Sequence, residues 1–488
     1  MKAVFACIVL LLCGIVPGRA AQPPVVLVPW DDRPVTRQLP QMLGRIAGRD
    51  VIVPPRPLLG NYLTFGKPDE IIKWLNGPQA RRASVFVIST DMLAYGGLVA
   101  SRVPGTTYQD AYFRVRTIER LRDAHPHAWI GAFGTVMRLA PTGIPNTGAA
   151  ASFFAPYPLW SYLQEYANLH DPPLRSEAAR AETLRGLAGD TLDAYIATRA
   201  RNYAVDSYIL QLAQNDAIDR VVLGQDDAGP VGLHVREVRA LQQTASTPRL
   251  QEAAAIEPGA DELGMAMVAQ ALARGIAWTP HVAVRYSMPR GENTNDPLEF
   301  APISVAIDGL IRLCGGVHDD ARPDIVLFVR VPNTTQAGDD ALANAMTQAA
   351  ESGSSVAFAD LTFLTNSFTP QAVFAERLLS SGLASRLDAY SSWNTNANTV
   401  GTAVAEAVAA NVGRRTGSYN VVAHREFTFN RILDDYAFHV YVRPEINAML
   451  DKQGISDHTY LLPDQAAPIE AYARDALWSH ASAILPQL

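Results

Sequence analysis

The chain has 488 residues, 41 of them basic and 48 acidic, and a formal charge of −7 at neutral pH. A mildly acidic chain with no basic run lacks the electrostatic footprint of a nucleic-acid binder. Its composition, 48% apolar and 18% charged, excludes a disordered protein and describes an ordered globular one.

Residues 1–20 read as an export signal. Lys2 is followed by an apolar run from Ala3 to Val16, and Gly18 and Ala20 are small residues before a cut at Ala21. The run is shorter than the roughly 20 apolar residues that span a bilayer. Cleavage would remove Lys2 and Arg19 and no acid, moving the formal charge from −7 to −9, and would leave Cys314 as the remaining cysteine. No intramolecular disulfide is then expected, and a chain of this size has core enough without one. The expected location is secreted or periplasmic. No later segment is long and apolar enough to cross a membrane. The expected partner is therefore a small-molecule or glycan substrate, with no nucleic acid and no membrane span.

Beyond the leader, short apolar runs alternate with turn chemistry. Val25–Pro29 leads into Trp30-Asp31-Asp32-Arg33-Pro34, Val51–Val53 into a proline-rich turn, and Val85–Ser89 into Thr90-Asp91-Met92. Trp129–Val136 leads into Met137-Arg138, and Val221–Leu223 into Gly224-Gln225-Asp226-Asp227. His281–Val284, Ile325–Val329, Val356–Ala359 and Leu387–Tyr390 complete the series. These runs are rich in Val, Ile and Phe and mostly lack polar alternation, the pattern of strands buried on both faces. Helical spacing fills the intervals at Tyr108–Ala124, Ser176–Asp206, Asp261–Arg274, Ala301–Cys314, Asp339–Ser352 and Thr399–Val412. Alternating β and α segments imply an α/β fold with a mostly parallel sheet and right-handed crossovers. The count of strands fits a (β/α)8-type barrel, slightly favoured, or two doubly wound domains in tandem. In both, ligands bind beyond the carboxyl ends of the strands. The expected division is an α/β body over residues 21–420 and a helical C-terminal segment over 421–488.

The strand ends carry the candidate chemistry. Asp31, Asp32 and Arg33 leave the first strand together, and adjacent carboxylates are costly beside a sheet unless they bind or pair. A turn in which Asp32 caps the next helix is the plain alternative. Asp226 and Asp227 end a bare buried strand, and adjacent carboxylates split roles: burial and the neighbouring charge keep one protonated while the other stays ionised. Asp226 and Asp227 are therefore the candidate catalytic pair, against an Asx turn with a helix cap. Trp393, Asn394, Asn396 and Asn398 follow the last strand, where amides suit sugar hydroxyls or an acetamido group and the indole suits a ring face. A helix cap at Asn398 or Thr399 would explain one of them. Asp91, before the Gly96-Gly97 pair, and Arg138 complete the candidate binding set. Asp261 and Glu262 read as a helix start placed on the positive end of its dipole. No His-Glu-x-x-His or paired-Cys pattern, phosphate loop, dinucleotide fingerprint or Gly-x-Ser-x-Gly elbow is present. No metal and no cofactor is accordingly expected, although the acids could serve a hard cation.

Tandem acids after a strand are similar to those of retaining N-acetylhexosaminidases, in which one acid orients the substrate's acetamido group and the next protonates the leaving oxygen. The chain as a whole resembles a family of bacterial, often exported proteins of unknown function. The resemblance is carried by Asp31–Pro34, Thr90–Met92, Gln225–Asp227, Gly259–Glu262 and Trp393–Thr399. It implies one coherent fold with a shared site and leaves the substrate open. Three functions are weighed: a glycoside hydrolase on a hexosamine-type glycan, a metal-dependent hydrolase or phosphoesterase, and a non-catalytic extracytoplasmic carbohydrate-binding protein.

Overall fold

The computed structural model describes residues 22–61, 64–141, 159–295, 299, 301–362, 369–455, 458 and 461–488. The leader 1–20 lies outside the described residues. The expected α/β class is the one observed. Strands β1 (Val25–Val28), β2 (Val51–Ile52), β3 (Val85–Ser89), β4 (Trp129–Val136), β5 (Arg220–Gln225) and β6 (Ala254–Pro258) form one sheet in the order β2-β1-β3-β4-β5-β6. Strands β7 (His281–Tyr286), β8 (Val317–His318), β9 (Ile325–Arg330), β10 (Ser355–Asp360) and β11 (Ala389–Ser391) form a second, ordered β11-β10-β9-β7-β8. Every pairing within them is parallel. The strands thus divide between two sheets, as in the tandem arrangement weighed above.

Both sheets are wound the same way. Each begins with a central strand, places the second on one side, then crosses back to add the rest on the other side. Two neighbouring strands at the crossing, β1 and β3 in the first sheet, send their chains to opposite faces. Such switch points open a crevice at the strands' carboxyl ends.

The absence of polar alternation has a direct structural cause. Successive residues of a strand point to opposite faces, and each face here meets helices. In β1, Val25 and Leu27 face inward while Val26 and Val28 face outward, all four fully buried. The inner layer consists of helices Leu39–Ala47, Leu263–Arg274, Ile303–Leu313 and Asn396–Thr416, packed between the two sheets in one continuous core. Helices Pro68–Leu75, Tyr108–Val115 and Asp190–Gln214 cover the outer face of the first sheet. Gln336–Glu351 and Thr369–Ser380 cover the outer face of the second. The sandwiched helices Leu263–Arg274 and Asn396–Thr416 are buried almost all round, which is why their sequences are rich in Ala and lack a solvent-facing polar stripe over most of their length.

From Val421 onward the described chain is helical. Val421–Arg431 runs into a widened π-type segment, Ile432–Val442, then Arg443–Lys452 and finally Pro463–Ile484. Pro444 and Pro463 sit in the first turn of their helices, where a missing N–H costs nothing.

Candidate functional site

A cavity enclosing about 620 Å³ of empty space, its mouth included, opens at the carboxyl ends of the first sheet. Its wall is assembled from seven places in the sequence. Arg33 follows β1; Leu98, Val99 and Arg102 lie beyond β3; Arg138 follows β4; Gln225, Asp226 and Asp227 end β5; Gly259, Ala260 and Asp261 end β6. The second sheet supplies Glu299, from the segment after β7, and Asn394, Thr395 and Asn398, from the segment after β11. The switch point between β1 and β3 is therefore part of the wall, and the inner helix Asn396–Thr416 reaches it through Asn398.

The arginines of the wall are held by carboxylates. Arg33 forms a two-pronged pair with Asp261, Nη2 to Oδ1 at 2.8 Å and Nη1 to Oδ2 at 3.2 Å, and its Nε donates to Asp31 Oδ2 at 2.8 Å. Planar guanidinium and carboxylate match in this geometry. Arg102 Nη2 lies 2.5 Å from Asp226 Oδ2, and both residues are buried. Arg138 Nη1 stands 3.7 Å from Asp227 Oδ2, a looser contact between two partly exposed groups.

Asp226 and Asp227, adjacent in sequence, have different surroundings. The Asp226 side chain is only 4% exposed and lies against Arg102, whereas that of Asp227 is 36% exposed and opens into the cavity. Burial raises the Asp227 carboxyl to about 6, with the Asp226 charge adding to the rise and Arg102 and Arg138 opposing it. A carboxyl in that range can hold a proton near neutral pH and give it up.

Other expected residues sit behind the wall. Asp31 is locked into its own turn, its Oδ1 accepting from the Arg33 amide and from Thr36 Oγ1, so that it orients Arg33 from behind. Asp91, just past β3, accepts from Trp30 Nε1 at 3.2 Å and Thr135 Oγ1 at 2.9 Å. Burial pushes Asp91 up to about 7 against the lowering effect of those bonds, and the charge of Asp226 adds to the rise. Asp32 turns outward to Arg56 at 2.9 Å. Trp393 packs half-buried against the inner core with its indole N–H on Thr402 Oγ1, and Asn396 is fully buried in the first turn of its helix. Of the expected set, the structure brings Arg33, Arg138, Asp226, Asp227, Asn394 and Asn398 to one cavity. It places Asp31, Asp32, Asp91, Trp393 and Asn396 outside its lining.

The loop before helix Asn396–Thr416 is fixed from several sides. Thr395 Oγ1 accepts from the Asn398 amide as the helix cap, in place of the cap expected at Asn398 or Thr399. Ala397 N donates to Glu299 Oε1 at 2.7 Å. Asn394 adopts a left-handed backbone, φ 58°, which Asn tolerates better than most residues. Its Nδ2 donates to Asn398 Oδ1, and Asn398 Nδ2 donates to Glu262 Oε2. Glu262 is completely buried and also accepts from Ala260 N at 3.2 Å. Burial raises its carboxyl to about 8.

Arg102, Asp261, Glu262 and Glu299 are members of this site that sequence reasoning did not select. Asp261 and Glu262 carry the same residues that a helix start requires, so their second use is invisible in sequence. Arg102 belongs to no strand end. Glu299 lies just beyond Pro289–Pro297, a stretch whose composition reads as a boundary. Gly259, just before Asp261, turns with φ 107°, a conformation that glycine permits but that its presence in a sequence does not announce. Among the described residues, no group of three or more His, Cys, Asp or Glu is arranged to hold a metal ion.

The fold and the cavity together define a parallel α/β protein with a polar, charge-paired site at its strand ends. The chain belongs to a family of proteins of unknown function, DUF4127, whose model matches residues 25–485. Comparison with curated proteins and with solved structures returns no match.

Proposed function

We propose that this protein is a hydrolase of glycosidic bonds, acting on a hexosamine-type glycan, with Asp227 as general acid and Asp226 as the partner carboxylate. The observation that carries the reading is the asymmetry of the pair. Asp227 opens to the cavity with its carboxyl raised to about 6, and its neighbour is buried on Arg102. A proton donor for a leaving alkoxide works best when its pKa lies near the working pH. In this scheme Asp227 delivers its proton to the glycosidic oxygen as the bond to the anomeric carbon breaks and the substrate's own acetamido oxygen bonds to that carbon; water then opens this ring and returns a proton to Asp227. Asp226 carries the negative charge that stabilises or orients the cationic side of the transition state. Arg33, Arg138, Asn394 and Asn398 would position the sugar.

The leader pattern of residues 1–20 supports export to the periplasm or beyond, which the mass of the mature N-terminus would test. For the chemistry, the test is turnover of a panel of chromogenic hexosaminides by the purified mature protein. Asp227→Asn should lower kcat/KM by about 100-fold or more with the melting temperature unchanged. Full activity in that variant, or activity lost to a chelator in the native protein, would remove the assignment.

A further inference from the structure

Three arginines at a strand-end cavity invite the idea of an anion site. The pairing described above argues otherwise. Arg33 and Arg102 donate to three carboxylates at 2.5–3.2 Å, and Arg138 lies beside a fourth. The rest of the wall, including Asp227, Glu299 and Asn394, is rich in oxygen.

The amide orientation at the rim follows from buried Glu262 behind it. Glu262 Oε2 already accepts the Ala260 N–H, so it is an acceptor oxygen whether or not the carboxyl carries a proton on Oε1. Asn398 must therefore turn its NH2 to Glu262, which leaves its Oδ1 facing Asn394. Asn394 must in turn donate one N–H, which fixes its carbonyl oxygen as the acceptor it can offer the cavity, beside its second N–H.

We propose that the Glu262–Asn398–Asn394 chain is a specificity device that presents the Asn394 carbonyl oxygen to the cavity, selecting a ligand that donates a hydrogen bond there, a hydroxyl or N–H of a sugar, over an anion. Glu262 is a positioning residue that touches no ligand. The inference deepens the sugar-site reading and rests on it for the nature of the ligand, but not for hydrolysis.

Two measurements on the full chain test it. In protein labelled at asparagine side chains, the Asn394 carboxamide proton bonded to Asn398 should exchange about tenfold slower than an exposed one. Glu262→Gln, which keeps an acceptor oxygen, should preserve that protection, and Glu262→Met should abolish it. Calorimetry should detect N-acetylglucosamine and no inorganic phosphate. Asn394→Gly, which suits the left-handed backbone at an exposed position and spares the fold, should weaken sugar binding about tenfold. Unchanged exchange in Glu262→Met would overturn the positioning role, and unchanged sugar affinity in Asn394→Gly would overturn the role of its oxygen. Phosphate binding in place of sugar, or no sugar binding at all, would overturn the ligand class. Sugar binding without turnover of any hexosaminide would sink the hydrolase reading and leave this inference standing.

Discussion

Gly259 turns the chain from β6 toward Asp261 with φ 107°, and a Cβ built there would lie 2.0 Å from Glu262 Oε1 and 2.7 Å from the Ala397 side chain. Both the backbone conformation and the fixed neighbours resist a side chain. Gly259→Ala should therefore cost more than about 2 kcal/mol, read as a lowered denaturation midpoint at an unchanged m-value, and should loosen the cavity wall. A midpoint matching the native protein would show that this corner relaxes freely. Asp227 makes the second residue-level prediction. Its acid form is required and its carboxyl titrates at about 6, so kcat/KM should fall as pH rises through 6 and beyond. A profile rising across that interval would exclude a proton-donating role. The residue types of the β5 end were legible in sequence because adjacent acids off a buried strand are costly. Their difference in environment was not, since Arg102 is more than 120 positions away from Asp226.

Helix Asn396–Thr416 is the element that joins the two sheets to the site. Its cap, Thr395, holds the Asn398 amide at 3.2 Å, while the Asn398 side chain links Asn394 to buried Glu262. Thr395→Ala should destabilise the protein by about 1 kcal/mol and reduce activity more than that loss alone explains, because Asn394 is positioned by the same turn. Thr395→Ser should restore both, as followed by thermal melting and kcat/KM together. The Trp393–Thr399 segment was readable as unusual, with more amides than one cap needs. Which residue caps was not readable, because Thr395, Asn398 and Thr399 are all competent and only the approach of Glu262 and Glu299 decides among them. Among strands, β3 and β4 have the bounds expected of them. β6 was missed because Ala254–Pro258 contains Glu257 and Pro258 within five residues, and β8 because two exposed residues leave no apolar run.

At the scale of the molecule, the two sheets share one winding pattern without any repeat visible in sequence, since strand order is set by crossovers and only burial is written in each strand. The assembled interior holds many carboxyls displaced upward by burial: Asp91 to about 7, Asp435 to about 7 and Glu262 to about 8, with Asp206 also raised. A group whose folded pKa exceeds its unfolded value stabilises the fold below the unfolded pKa and loses that contribution as pH rises through the folded one. Buried His234, lowered to about 4 by burial, works in the opposite sense below its unfolded value near 6.5. The carboxyls alone act above that point, so the melting temperature should fall between about pH 6.5 and 8. A flat or rising curve there would mean these acids are ionised in the folded state. In the proposed function, the crevice shared by the two sheets is where a glycosidic bond meets Asp227. The most direct measurement is a crystal structure of the Asp227→Asn variant soaked with a hexosaminide that the native protein cleaves. The sugar should lie in the cavity with its glycosidic oxygen about 3 Å from the side chain at position 227 and a hydroxyl or N–H on the Asn394 oxygen. A sugar bound elsewhere on the molecule, with this cavity open only to water, would contradict the account.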